Sequence, residues 1–120
     1  MEYQAQLFNS FWQGMVKLFI LHQTGQGPVY GVRLKKILRD RGYDISPGSL
    51  YPMLHSMEKA NLLHSRLKVF KGRVRKYYSL TPTGYSCLQE LRQTFAGLAQ
   101  EILSGNSAAA GKNLVNDGLK

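Results

Sequence analysis

The stretch Ser46-Pro47-Gly48-Ser49-Leu50-Tyr51-Pro52-Met53-Leu54-His55-Ser56-Met57-Glu58-Lys59-Ala60-Asn61-Leu62-Leu63 constrains this chain more than any other. It opens on a helix start. Ser46 is a residue type that caps free backbone N–H groups, and Pro47 suits a first helical position, where its missing N–H goes unneeded. Leu50, Met53, Leu54 and Met57 then recur at helical steps and form one apolar stripe. Ser49, Tyr51, His55, Ser56 and Lys59 share the other face, which suits contact with something polar and holds no arrangement of reacting groups. Pro52 complicates the first turns, because proline in a helix interior removes a hydrogen bond and crowds the preceding turn. Either the regular helix begins nearer Ser49, or its start is distorted. Both readings leave Ser49, Tyr51 and His55 near the amino-terminal end, whose N–H donors and partial positive charge favour phosphate.

What flanks this helix defines the unit. Upstream, Thr24-Gly25-Gln26-Gly27-Pro28 is a turn cluster, and Val29–Arg41 reads as a helix with Leu34, Ile37 and Leu38 on one face and basic side chains on the other. Gly42 ends it, as glycine past a last turn commonly does. Two short helices with a brief connector form a helix-turn-helix. Downstream the period changes to two. His64–Phe70 and Arg73–Leu80 alternate polar and apolar residues around Lys71-Gly72, which predicts a β-hairpin with a basic tip. A hairpin directly after a helix-turn-helix is a wing. The expected fold is therefore mainly α with a small β-hairpin, a winged helix-turn-helix.

Residues 3–23 predict a first helix whose apolar residues, among them Leu7, Phe8, Phe11, Trp12 and Met15, cover more than one stripe, so it is buried on several sides. Trp12 is either a core or interface aromatic or the wall of a ligand cavity. After Thr81-Pro82-Thr83-Gly84 comes a last helix, in which Leu88, Leu91, Phe95, Leu98 and Ile102 form a heptad seam two repeats long. That seam packs either on its own domain or on a second subunit. The expected organisation is a DNA-binding domain over 1–103, with dimerisation helices at 1–28 and 82–103. Leu7, Phe11, Leu88, Leu91, Phe95, Leu98 and Ile102 are the candidate dimer contacts. Small and polar residues dominate 104–120, which predicts a mobile tail.

Charge separates the function classes. The chain carries +9, and twelve basic residues against three acidic ones lie between positions 33 and 76, so the whole excess sits in the helix-turn-helix and hairpin. Clustered positive charge of this kind is the footprint of a nucleic-acid binder; a solvated basic face or a patch for acidic lipid is the alternative. Cys87 is alone, and His22, His55 and His64 lack metal-ligand spacing, so no disulfide framework, metal or cofactor is expected. The apolar run Phe11–Leu21 is broken by Gln13, Gly14 and Lys17, which argues against a membrane span or signal peptide and for a cytoplasmic protein. No base is placed beside a nucleophile, so an enzyme is not expected.

The blocks Tyr43–His55, Leu62-Leu63 and Arg75-Lys76-Tyr77-Tyr78-Ser79-Leu80-Thr81-Pro82-Thr83-Gly84 resemble, in order and spacing, the PadR family of bacterial transcriptional regulators, over roughly residues 10–100. The short last helix resembles the family's small subgroup, which lacks a large carboxy-terminal domain. The resemblance implies a homodimer joined through its first and last helices that represses a nearby operon by binding double-stranded DNA at a pseudo-palindromic operator. It implies that the helix opening at Ser46 reads the major groove, with Ser46, Ser49, Tyr51 and His55 contacting bases or phosphates. The hairpin residues Lys68, Lys71, Arg73, Arg75 and Lys76 would reach phosphates or the adjacent minor groove. Tyr77 and Tyr78 would anchor the hairpin, their rings on opposite faces. Some members release DNA on binding phenolic acids, and others bind planar hydrophobic drugs between subunits. Here Phe8, Phe11, Trp12 and Phe95 are the aromatic candidates for such an effector. In some drug-binding relatives the key tryptophan lies on the last helix, which has none here, so a repressor without a ligand remains an alternative. Two other classes stay open: a nucleic-acid-binding module without sequence preference, and a protein–protein adaptor.

Overall fold

A computed structural model of the protein describes residues 1–105, in the order α1 (Glu2–Gly25), β1 (Val29–Tyr30), α2 (Gly31–Asp40), α3 (Pro47–Lys59), β2 (Leu63–Phe70), β3 (Arg73–Leu80) and α4 (Pro82–Leu103). The three strands form one antiparallel sheet in the order β1-β3-β2. Internal contacts divide the chain into two units, Met1–Leu88 and a second that begins at Gln89. The expectation of a mobile tail falls almost wholly on residues 106–120, outside the described residues; Ser104 and Gly105 end α4 in a bend and turn.

The helix stripes meet in one core. Val16, Ile20 and Leu21 of α1, Leu34 and Leu38 of α2, and Leu50, Leu54 and Met57 of α3 are buried together. Ile45 of the connector joins them, and Val29, Leu63 and Tyr78 close the sheet side. Two of the helices end in the same way. Gly42 lies past the end of α2 at φ 90°, and Tyr43 N–H donates to the Leu38 carbonyl at 2.9 Å. Asn61 takes the same place after α3 at φ 64°, and Leu62 N–H donates to the Met57 carbonyl at 2.9 Å. Both are Schellman caps, which turn the chain sharply while satisfying the last carbonyls. These caps set the short connectors that place α3 against α2 and the hairpin against α3.

The hairpin turn is Lys71-Gly72, with φ of 50° and 77°. Positive φ at both positions of a two-residue loop is the type I′ geometry that matches the twist of paired strands. The other end of the hairpin is locked at Thr81. Its hydroxyl donates to the Asn61 carbonyl at 2.6 Å and accepts the Gly84 N–H at 2.9 Å, so one side chain joins the α3 cap to the start of α4. Gly84 is needed there: a Cβ would stand 2.1 Å from the Leu62 carbonyl oxygen.

Four expectations change. Val29 and Tyr30 do not begin a helix; they pair with Tyr78 and Tyr77 as a third strand, and α2 starts at Gly31. The helix α3 starts at Pro47 and runs through Pro52 without a break. Pro52 costs it the bond to the Gly48 carbonyl, and Gly48 is exposed. Ser46 holds the N-cap position, but its hydroxyl donates to Ser49 Oγ at 3.2 Å and not to the backbone. Leu88 is not a dimer contact: only 4 % of its surface is exposed, and it packs into the protomer's own core, close to Gly25.

Candidate nucleic-acid interface

Helix α3 presents its polar face on two sides. Tyr51 and His55, one turn apart, look toward the sheet. With Tyr30, Val74, Arg75, Lys76 and neighbouring residues they line an open cleft of about 420 Å³ between α3, the start of α2 and strand β3. Ser49 and Ser56 lie on the side of α1, in a separate groove with Gln13, Lys17 and Pro52. The sequence grouped Ser49 with Tyr51 and His55; the structure brings together Tyr51, His55, Arg75 and Lys76.

Gly31 makes room for the Tyr51 ring. A Cβ at Gly31 would come within 2.6 Å of Tyr51 Cε1, so the ring packs where the backbone has no side chain. Tyr51 is still 39 % exposed, which leaves an edge of the phenol open to a partner. Sequence reasoning missed Tyr30, Gly31 and Val32 as cleft walls. The β-prone pair Val29-Tyr30 was the available signal, but two residues are too few to show a period of two.

The hairpin has two chemically different faces. Alternation puts Tyr78, Lys76, Val74, Ser65, Leu67 and Val69 on the side that continues the core, and Tyr77, Arg75, Arg73, Lys68 and Phe70 on the other. Tyr78 is buried, whereas Tyr77 stacks edge-on against Tyr30 at 5.4 Å, so the two tyrosines anchor opposite faces as expected. On the core side Glu58 of α3 reaches the sheet. Ser65 Oγ donates to it at 2.5 Å, and Lys76 Nζ stands 3.7 Å away. The Ser65 hydroxyl is the main reason that the Glu58 carboxyl sits below its ordinary pKa; partial desolvation opposes this and Lys76 adds to it. Glu58 thus links α3 to the hairpin and takes up part of the Lys76 charge. Lys68, Lys71 and Arg73 stand exposed toward the tip.

The residues expected at a subunit contact divide. Leu7, Phe8 and Phe11 are 58 %, 69 % and 64 % exposed along one side of α1. In the second unit Leu91, Phe95, Leu98 and Ile102 are exposed along α4. Trp12 is half-buried, and its ring stands 5.9 Å from that of Tyr43. Among the described residues no helix is long and apolar enough to cross a membrane, and no three His, Cys, Asp or Glu side chains gather as metal ligands.

Residues 20–90 match the Transcriptional regulator PadR-like family, a span from the second half of α1 into α4. The chain belongs to the PadR family. It is 43 % identical over 101 residues to a transcriptional regulator of Mycobacterium tuberculosis, covering 84 % of this chain and 94 % of that protein. Among solved structures it resembles a PadR family transcriptional regulator from Eggerthella lenta, with a TM-score of 0.71 and 27 % identity, covering 94 % of this chain and 93 % of that one. A PadR-like transcriptional regulator from Bacillus cereus gives a TM-score of 0.70 and 30 % identity, covering 88 % and 96 %. The PadR match spans the helix-turn-helix, the hairpin and the Thr81–Gly84 lock, so the fold is the winged helix of these regulators. This chain is a PadR-like transcriptional regulator, and its Thr81–Gly84 block is the lock described above.

Proposed function

We propose that this regulator is a homodimeric repressor that binds a pseudo-palindromic operator in double-stranded DNA. Helix α3 enters the major groove and the β2–β3 hairpin follows the phosphate backbone. The observation that carries this reading is the cleft in which Tyr51 and His55 stand beside Arg75 and Lys76, flanked by the exposed cations Lys68, Lys71 and Arg73. Base-edge contacts from Tyr51 and His55 give specificity; Ser46 and Ser49 contact the neighbouring backbone. The cations displace counterions, so affinity falls steeply with salt. Two copies joined through the exposed apolar residues of α1 and α4 present two such helices to successive major grooves, about 34 Å apart. An aromatic effector that wedges at Phe8 and Phe11, with Trp12 and Phe95 as further candidates, releases DNA by favouring a subunit arrangement that no longer fits this spacing. The protein acts in the cytoplasm and by binding alone, so bound DNA stays intact on prolonged incubation with divalent metal.

The test is fluorescence anisotropy on the DNA upstream of its own gene and on a scrambled duplex, across a salt series. Tight, salt-steep binding that prefers the upstream DNA supports the repressor. Equal, weak binding to both duplexes overturns it in favour of a module without sequence preference or a protein adaptor.

A further inference from the structure

The hairpin leaves the body of the domain early. Strand β1 pairs only with Tyr77 and Tyr78, so residues 66–76 form a two-stranded ribbon with no third strand beside it. Such ribbons are marginal in water, and their angle to the body must be set by side chains. On the core side the Glu58 contacts to Ser65 and Lys76 do this. On the opposite face one residue stands out. The Arg75 guanidinium carbon lies 4.3 Å from the Tyr30 ring centre and 4.7 Å from that of Phe70. The lysine ammonium groups of the hairpin stand farther from any ring, at 5.5 to 5.7 Å. Arg75 is on the central strand, with Tyr30 on the strand to one side and Phe70 on the strand to the other. It is also partly buried, unlike Lys71 and Arg73.

We infer that Arg75 is a positioning residue: held between Tyr30 and Phe70, it sets the angle of the hairpin and is not itself a phosphate contact. This rests on the DNA-binding reading above and changes the role that the sequence gave Arg75. A guanidinium is planar, weakly hydrated and suited to stacking on rings, whereas an ammonium of equal charge is not. A phosphate contact also uses the guanidinium fork, but its loss weakens binding without loosening the hairpin of the free protein. The two roles therefore respond differently to Arg75→Lys.

The experiment compares wild type, Arg75→Lys and Phe70→Leu, the last a partly exposed position near the tip that the fold tolerates. Operator affinity is read by anisotropy across a salt series, and amide hydrogen exchange over residues 64–79 is read in the free protein. Positioning predicts that both variants bind the operator more weakly, by on the order of fivefold, and with a shallower salt slope, because the displaced tip gives up part of its phosphate contacts. Both exchange faster in the hairpin, while helix amides in the core keep their wild-type rates. Positioning also predicts that adding Arg73→Ala to Arg75→Lys causes a smaller further loss than Arg73→Ala causes alone, because the misplaced tip no longer delivers Arg73. Loss of fold stability alone does not produce that non-additivity. Wild-type affinity and exchange in Arg75→Lys overturn the proposal and return Arg75 to the phosphate contacts; so does full additivity with Arg73→Ala. Absence of duplex binding by the wild type overturns the DNA-binding reading itself, and the role assigned to Arg75 with it.

Discussion

Gly31→Ala separates stability from recognition at one atom. Gly31 is the first residue of α2, on a backbone with no positive φ, so alanine is conformationally acceptable there. Replacing glycine at a position whose φ alanine accepts narrows the unfolded ensemble and stabilises the protein by about 0.4–1 kcal/mol. The added Cβ would meet Tyr51 Cε1 at 2.6 Å, and ordinary contact begins at 3.4 Å, so the ring must retreat by most of an ångström. Tyr51 is free enough to do so, because it is 39 % exposed and, among the described residues, no hydrogen bond holds the phenol. The expected result is a protein at least as stable as wild type in urea unfolding, with a displaced phenol. A base contact is worth about 1–3 kcal/mol of discrimination, and a displaced one retains part of it. The ratio of operator to scrambled-duplex affinity should therefore fall by about fivefold or more, while scrambled-duplex affinity stays near wild type. Tyr51→Ala should lower the same ratio, and the double variant should lose little more than Tyr51→Ala alone. An unchanged ratio in Gly31→Ala would show that the position of the phenol does not matter to recognition, and would remove Tyr51 from base reading.

The tip cations and the subunit contact are testable in the same way. Lys71→Ala combined with Arg73→Ala should lower the slope of log affinity against log salt by about two for each protomer engaged, as expected when each residue neutralises one phosphate; an unchanged slope would take the tip out of the interface. Leu91→Asp with Leu98→Asp puts charge on the exposed seam of α4 and should give monomers by light scattering, with helix content retained; a persistent dimer would move the contact elsewhere. Glu58→Gln keeps a partner for Ser65 but removes the attraction for Lys76, so scrambled-duplex affinity should rise as a negative charge leaves the basic surface. An unchanged affinity would mean that Lys76 is not near the DNA.

Local rules explain what the sequence revealed. The hairpin was legible because Lys71-Gly72 satisfies a two-residue turn between alternating runs, and α3 because Leu50, Met53, Leu54 and Met57 mark its buried side at helical spacing. What escaped depended on partners far away in the chain. Val29-Tyr30 becomes a strand only because Tyr77 and Tyr78 lie beside it. Leu88 continues the heptad of Leu91, Phe95 and Leu98 without a visible break, yet the turn at Thr81 and Gly84 brings it down onto the core near Gly25. A repeat of apolar residues states that a face is covered, not by what. Glu58 read as one acidic residue among many basic ones. Its role depends on Ser65 and Lys76, which reach it only once the hairpin folds back toward α3.

The same distinction bears on the charge that first suggested nucleic acid. The hairpin contributes five of the candidate phosphate contacts, Lys68, Lys71, Arg73, Arg75 and Lys76, and composition treats them alike. The structure does not. Arg75 is held between two rings, and Lys76 stands 3.7 Å from a carboxylate. An exposed pair of that kind contributes at most about 1 kcal/mol, so Lys76 can be drawn away by a phosphate, but only by giving up the link between the hairpin and α3. Lys68, Lys71 and Arg73 have no such competing carboxylate among the described contacts. The salt dependence contributed by the hairpin should therefore follow about three cations in each protomer, not five. The remaining two are engaged within the protomer, one on each face of the ribbon. A winged helix that must present a thin, two-stranded arm at a fixed angle gains more from that division than from two further charges at the surface.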